Sequence, residues 1–313
     1  MSTRIVVVGS SNTDMIVRAA KLPKPGETVI GGGFSTAAGG KGANQAVAAA
    51  RAGGDVTFIT CVGDDAFGQS AVLGFVDDGI DVAHILTDPV HASGVALIMV
   101  DEAGENCIAV SPGANACLFP GHIADLEALI AGAAVVLAQL EVPVETVSKA
   151  AELAVKHGVR FVLNPAPAMA LEESLLRRCS LLTPNESEAG CLTGIAVRCK
   201  DDAFRAARKL HAAGVGTVLI TLGGEGVIVV DDQREMHMPG FAVTPVDTTA
   251  AGDCFNGALV VALAEGRSLD DAIRFAQAAA ALSVTVIGAQ PSLPMRDRIE
   301  AFLVGANTSA NKV

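Results

Sequence analysis

The sequence contains no Trp and no Tyr, and Phe alone supplies its 4% aromatic content. A slot of Trp or Tyr rings, the kind that grips a nucleobase, is therefore absent. Cationic residues are also scarce. Lys and Arg number 22 against 34 Asp and Glu, a net charge of -12. That balance argues against a nucleic-acid partner and against an anionic membrane surface, since both need clustered Lys and Arg. No CxxC pair occurs among the seven scattered Cys, and Cys191 and Cys199 have no partner at a metal-ligand spacing. The seven are expected to be reduced thiols of a cytoplasmic protein, most of them small core residues. The first ten residues, MSTRIVVVGS, hold too short an apolar run for a signal peptide. Phe275 to Met295 lacks charge, but Gln, Ser, Thr, Gly and two Pro interrupt it. It reads as a buried Ala-rich helix plus a loop, not a membrane span. Two nucleotide-loop signatures are missing as well. The stretch at Gly39-Gly40-Lys41-Gly42 does not supply GxxxxGK[ST], and Gly9-Ser10-Ser11-Asn12 does not supply GxGxxG.

What is present is a globular composition, 50% hydrophobic and 18% charged over 313 residues. That length suits one large domain, or one with a small accessory. Arg4 to Gly9 is a continuous β-branched run, as for a strand buried on both faces. Ser10 to Asp14 then reads as a polar loop. Ala20 to Gly40 is rich in Gly and Pro, with short extended pieces such as Thr28-Val29-Ile30, and reads as an excursion from the sheet. A small-residue helix follows over Gly42 to Ala52, then a strand over Val56 to Val62 and a helix over Ala66 to Asp78. Gly94 to Asp101 and Glu105 to Ser111 form an expected hairpin, antiparallel structure belonging with the excursion. From Ile123 onward strand and helix alternate. The strands are Ala134 to Ala138, Arg160 to Leu163, Leu181 to Thr183 and Thr217 to Thr221, with an edge hairpin over Val227 to Val230 and Glu235 to Met238. Three helices close the chain, and Thr308 to Val313 is expected as a loose tail. The pattern predicts an α/β fold: a doubly wound, mostly parallel sheet flanked by helices.

In such sheets ligands bind off the carboxyl ends of the strands. Polar residues collect there: Asn12 and Asp14, Glu141, Asn164, Asn185 and Glu188, and Gly223 after Thr221. The stretch Val246 to Gly257, VDTTAAGDCFNG, runs into the apolar helix formers Ala258 to Ala264. A helix is expected to begin near Gly252. The small residues Ala250, Ala251 and Gly252 would let a ligand approach free N–H donors at the positive end of the helix, a seat for an anion such as phosphate. Asp253 lies in the same turn. A carboxylate there can take a proton from an attacking hydroxyl, or simply stabilise the first turn. Gly39, Gly40, Lys41 and Asn44 suit close approach to a polyhydroxylated ligand, or a plain glycine turn. Asn12 and Asp14 suit vicinal hydroxyls or turn formation. Asn185 and Glu188 suit a capping box or the ordering of Mg²⁺ waters.

As a set these motifs are far more specific. GSSNTD from Gly9, AAGGKGANQAVAAARAG from Ala37, CVGDDAFG from Cys61, NPAPA from Asn164, TPNESEA from Thr183, ITLGGEGV from Ile220, VDTTAAGDCFNGAL from Val246 and GAQPSLP from Gly288 span nearly the whole chain. Together they resemble the ribokinase-type carbohydrate kinases, the phosphofructokinase B family. The resemblance implies ATP-dependent phosphorylation of D-ribose at its 5-hydroxyl. It implies a ribose site of Asn12, Asp14, Gly40, Lys41, Asn44 and Glu141, with Asp253 as the base. It implies an anion hole of Ala250, Ala251 and Gly252, and an ATP–Mg²⁺ site of Asn185, Glu188, Thr221, Gly223, Gly226 and Gly252. Family members often carry His near the adenine, where this chain has Gln277. A K⁺ loop would match Asp247, Thr249, Ser283, Val286, Gly288 and Ser292. The chain would be one kinase domain with a small β lid drawn from about residues 15–38 and 93–111, and the lid would pair two subunits. Two other readings stay open: a kinase of another sugar or of a nucleoside, and a sugar-sensing protein without catalysis. Arg18, Lys21 and Lys24 are the available cations for a phosphorylated sugar, and the missing Trp and Tyr speak against a nucleoside.

Overall fold

The computed structural model describes residues 2–310. β1 (Arg4–Val8) is buried after its first residue. The polar loop expected over Ser10 to Asp14 is instead a strand from Asn12 on. β2 (Asn12–Arg18) pairs antiparallel with β3 (Gly33–Gly39), Asn12 standing opposite Gly39. Thr28-Val29-Ile30, expected to be extended, belongs to no strand. α1 (Lys41–Arg51) follows. The expected strand over Val56 to Val62 divides into β4 (Asp55–Ile59) and β5 (Cys61–Gly63), which pair with different partners. α2 (Ala66–Asp77) starts at Asp65, whose side chain accepts from the Gly68 N–H and so caps the helix. β6 (Leu86–Asp88) pairs with β5. β7 (Gly94–Val100) and β8 (Asn106–Ser111) form the expected hairpin.

The remainder alternates. Two short helices, α3 (Pro120–Ala124) and α4 (Glu127–Ala131), lead to β9 (Val135–Ala138) and α5 (Val144–Lys156). Then come β10 (Arg160–Leu163), α6 (Glu173–Leu176), β11 (Leu181–Leu182), α7 (Glu186–Thr193) and α8 (Lys200–Ala212). β12 (Thr217–Thr221) leads into the edge hairpin of β13 (Val227–Asp231) and β14 (Arg234–Met238). The closing helices are α9 (Ala251–Ala264), α10 (Leu269–Ser283) and α11 (Arg296–Ala310). α11 takes in the first residues of the expected tail, and 311–313 lie outside the described residues.

The main sheet runs β14-β13-β12-β11-β10-β9-β1-β4, parallel from β12 to β4 and antiparallel at the β13–β14 edge. Strand alternation divides its side chains between two cores. Val6 and Val8 of β1 join the layer of α5 and α8, while Ile5 and Val7 join that of α1, α9 and α10. α1 and α9 approach closely because Gly257 lacks a side chain. A Cβ there would lie 2.5 Å from the Ala48 methyl carbon. The small sheet runs β3-β2-β7-β8. Its central β2–β7 pairing is parallel, so it is mixed rather than wholly antiparallel. From β1 the chain builds outward to β4, then returns to build β9 on the other side. The strand order thus reverses between β1 and β9, where the carboxyl ends open a crevice.

Candidate active site

Asp253 stands in the first turn of α9. The turn is entered through Ala250, whose φ of 57° is the one left-handed value at a non-glycine among the described residues. An Ala there is strained by roughly 1–2 kcal/mol. The kink ends the loop abruptly: the Ala251 N–H donates to the Thr248 carbonyl at 3.3 Å, while the next N–H groups of the first turn of α9 have no intrahelical acceptor. A Cβ at Gly252 would meet nothing within 4 Å, so the helix tip faces open space.

Asp253 is buried, 7% exposed, and its carboxylate is held by two amides. Asn44 Nδ2 donates to one oxygen at 3.0 Å and Gln45 Nε2 to the other at 2.9 Å. Gln45 Nε2 also donates to Asn164 Oδ1 at 2.9 Å, and Gln45 Oε1 accepts from Gln139 Nε2 at 2.6 Å. A buried amide network therefore orients the carboxylate from α1, β9 and β10. Burial raises the Asp253 pKa, against the pull of Lys41 and of the Gln45 and Asn44 hydrogen bonds. The result is a stronger base than a surface Asp. Asn44 Oδ1 is buried with no hydrogen-bond partner. An orphaned acceptor at such a place suits a ligand hydroxyl.

Around Lys41 the structure gathers the other expected polar groups. Burial works to lower the Lys41 pKa, but the carboxylates of Asp253, Glu141, Glu188 and Asp14 outweigh it and hold the ammonium above its ordinary value. Asp14 is pushed up to about 6 by burial first and by Glu141 second, with Lys41 opposing. Glu141 Oε2 accepts from Ser10 Oγ at 2.6 Å and from the Lys41 N–H at 2.9 Å, joining the end of β1 to the start of α1. Asn12 Oδ1 accepts from Asn115 Nδ2 at 2.7 Å. The expected glycines are dictated by contact. A Cβ at Gly39 would lie 2.5 Å from the Asp14 carboxylate oxygens, and one at Gly40 2.7 Å from the Asn12 nitrogen.

On the far side of the α9 tip lies a cleft of about 350 Å³. Thr221, Gly223 and Gly226 line it together with Ala251, Gly252 and Gln277. Gln277 is buried and fixed: Nε2 donates to the Met238 carbonyl at 3.1 Å, and Oε1 accepts from Arg274 at 3.3 Å. The Arg274 guanidinium stacks on Phe241, 3.8 Å from the ring centre. Asn185 and Glu188 do not line this cleft. They form a reciprocal capping box on α7, Asn185 Oδ1 accepting from the Glu188 N–H and Glu188 Oε2 from the Asn185 N–H. Asn185 is nonetheless bridged to Thr221 at the cleft's edge. Burial raises the Glu188 pKa against the Asn185 hydrogen bond and the Lys41 charge.

Of the residues expected to hold a monovalent cation, three are directly joined. The Asp247 carboxylate accepts from the Thr249 N–H and hydroxyl and from the Gly288 N–H. Burial disfavours its charge, but these hydrogen bonds and Arg18 prevail and hold its pKa below the usual range. The Val286 N–H bonds the Ser283 carbonyl at 3.1 Å, in the turn that leads to Gly288. The Ser283 and Ser292 hydroxyls are satisfied within their own turns, by Ala280 and Ala289.

Residues 2–296 match the pfkB family carbohydrate kinases. The chain belongs to that family. A ribokinase of Haemophilus influenzae is 46% identical over 303 residues, covering 97% of this chain and 99% of the relative. A deoxyribokinase of Salmonella typhi is 37% identical over 300 residues, covering 96% and 98%. The structure is similar to that of an Arabidopsis thaliana ribokinase complexed with ribose and ATP, with a TM-score of 0.92, 34% identity and coverage of 97% and 99%. The doubly wound sheet with its separate small sheet is thus the architecture of the family's ribokinases. Residues that the sequence motifs did not single out are Gln45, Gln139 and Asn115, which act through other side chains. Gln45 adjoins Asn44 inside a motif, but its contact with Asp253 spans 208 residues.

Proposed function

We propose that this protein transfers the γ-phosphoryl of ATP to the 5-hydroxyl of D-ribose, giving D-ribose 5-phosphate and ADP. One observation carries the reading. A single helix tip carries both Asp253, hydrogen-bonded to Asn44 beside the Lys41 cluster, and Gly252, which lines the 350 Å³ cleft, so acceptor and donor would meet at one carboxylate. Asn12, Asp14, Gly40, Lys41, Asn44 and Glu141 hold the sugar. Asp253 takes the 5-hydroxyl proton, and the N–H groups of Ala251 and Gly252, shaped by the kink at Ala250, face the transferring group's charge. Thr221, Gly223, Gly226 and Gln277 hold ATP. Asn185 and Glu188 order the waters of Mg²⁺, which fits a donor set of few, oxygen-bearing groups. A Mg²⁺ ion held there would supply charge neutralisation on the phosphates.

Asp247, Thr249, Ser283, Val286, Gly288 and Ser292 offer carboxylate, hydroxyl and carbonyl oxygens only, a set suited to K⁺. Asp247 and Thr249 directly precede the α9 tip, and the Gly288 N–H donates to the Asp247 carboxylate, so a cation held there would brace the loop that forms the anion hole. The small sheet acts as a lid that excludes water. It carries exposed apolar side chains on both faces: Phe34 and Leu97 on one, Ile108 and Val110 on the one shared with Asp14. A second copy of the chain covers them in a homodimer. Seven unpaired thiols suit the cytoplasm.

The identity to a deoxyribokinase gives 2-deoxyribose a specific claim as an alternative acceptor. A coupled ADP-release assay with ribose, 2-deoxyribose, fructose and adenosine separates the readings. The proposal expects the highest kcat/KM for ribose. ADP release that no sugar stimulates would end it.

A further inference from the structure

A second group of ligand atoms lies away from this site. Asp88 at the end of β6, His91 in the turn after it and Cys117 at the close of a 3₁₀ turn place a carboxylate oxygen, an imidazole nitrogen and a thiol sulfur within 4.8 Å of one another. The turn is pre-formed. Asp88 Oδ1 accepts from the N–H groups of Val90 and His91, both at 2.8 Å. His91 Nδ1 is 3.2 Å from Asp88 Oδ1 and 3.2 Å from Cys117 Sγ.

The same ring nitrogen faces both partners. A nucleophile–His–Asp relay needs one nitrogen for each, so this group is not a catalytic triad. Three unlike donors converging on one point is instead what a small cation requires. Ligands at ~2.0–2.3 Å from a tetrahedral zinc stand roughly 3.3–3.7 Å apart, close to the spacings found. Sulfur and imidazole select Zn²⁺ and similar d-block ions over Mg²⁺. We propose that Asp88, His91 and Cys117 bind one Zn²⁺ ion, with water in the fourth position.

His91 is exposed and gives the ion an entry path, while Cys117 is buried. Cys61 lies on β5, paired with β6, but it is not among the ligand atoms that converge, which leaves the fourth position to water. Zn²⁺ replaces the Cys117 thiol proton, which passes to solvent, so affinity rises with pH. The ion would brace the root of the small sheet. Ser93 and Gly94, just after His91, lead into β7, and Asn115, two residues before Cys117, anchors Asn12.

The test is titration of chelator-treated full-length protein with Co²⁺, read by absorbance. One equivalent should produce a thiolate-to-cobalt band in the near ultraviolet with tetrahedral d–d bands, and Zn²⁺ should bleach both. Cys117→Ala should abolish the near-ultraviolet band. His91→Ala, at an exposed position that leaves the fold intact, should weaken binding at least about tenfold. Absence of a thiolate band at one equivalent, or a band of unchanged affinity in either variant, overturns the assignment. If Cys117→Ala does not fold, the His91→Ala titration alone decides.

Discussion

Around β2 and α1, a Cβ placed at Gly39, Gly40 or Gly42 would come within 2.5, 2.7 and 2.4 Å of another atom, whereas one placed at Gly224 or Gly252 would meet nothing within 4 Å. Glycine does two kinds of work around Asp253. On the proposed sugar side Gly39, Gly40 and Gly42 let the protein's own atoms approach closely. On the proposed ATP side Gly224 and Gly252 keep space clear, while Gly226 is as crowded as the sugar-side glycines, a Cβ there lying 2.1 Å from the Met238 carbonyl oxygen. The first side is crowded with interacting charges: Asp14, Lys41, Glu141 and Asp253. The second is a mainly apolar cleft that the α9 tip helps to line. A small hydroxylated acceptor needs many directed bonds, while a large triphosphate needs room and a positive helix end.

Adding a methyl group to each side sharpens the contrast. Gly42→Ala would push a carbon to 2.4 Å from the Ser10 nitrogen. Overpacking against backbone costs at least ~1–3 kcal/mol, so thermal unfolding should show a large fall in Tm or no folded protein at all. Gly252→Ala should fold with an unchanged Tm yet lose about tenfold or more in kcat/KM for ATP, since small misplacements at the reacting centre are costly. Equal stability losses in the two variants would break the comparison.

A smaller effect concerns pH. The Asp14 carboxyl is raised from 3.8 to about 6 in the folded chain. Between those values the folded state holds a proton that the unfolded state has lost, so this group's contribution to stability falls as pH rises through the window. Asp14→Asn removes that loss. The Tm advantage of the variant over the parent should therefore grow from about pH 4 to about pH 6 and level off above. A constant difference across that range would show that Asp14 is not perturbed. In the parent, ribose KM should rise as pH drops below about 6 and Asp14 gains its proton. The smallest effect is that of the cation. Exchanging Na⁺ for K⁺ at fixed ionic strength should raise turnover a few-fold, consistent with the modest size of typical coupling energies, and no response would remove K⁺ from the account.

Much of the architecture is legible in the sequence because its signals are local. The β-branched run of β1, the alternation after Ile123 and the helix formers after Gly252 each fix an element from neighbouring residues. The start of β2 is not legible that way. Asn12 reads as a loop residue, but Gly39 and Gly94 flank it from 27 and 82 residues away and make it a strand. The division at Thr60 has the same origin, since β4 and β5 answer to different partner strands. At the site, Asp253 and its glycines stand out because a helix start follows them directly. Among the amides around it, Asn44 and Asn164 stand out too, but Gln45 and Gln139 do not, because their contacts with Asp253 and with each other form only after folding. Asn185 and Glu188 form the capping box that their spacing allows, and Asn185 is also bridged to Thr221, a contact that no spacing reveals. Asp88 and His91 stand three residues apart, but Cys117 is not legible with them because the whole β7–β8 hairpin intervenes.

The account stands on Asp253 as the group that joins the two sides. The direct measurement is Asp253→Asn, with ribose binding by calorimetry and ADP release determined on the same preparation. Asn preserves the shape but cannot accept the proton. Ribose should still bind, while turnover should fall by about 10²–10⁴-fold. Turnover within a few-fold of the parent, with ribose bound as tightly, would contradict the mechanism.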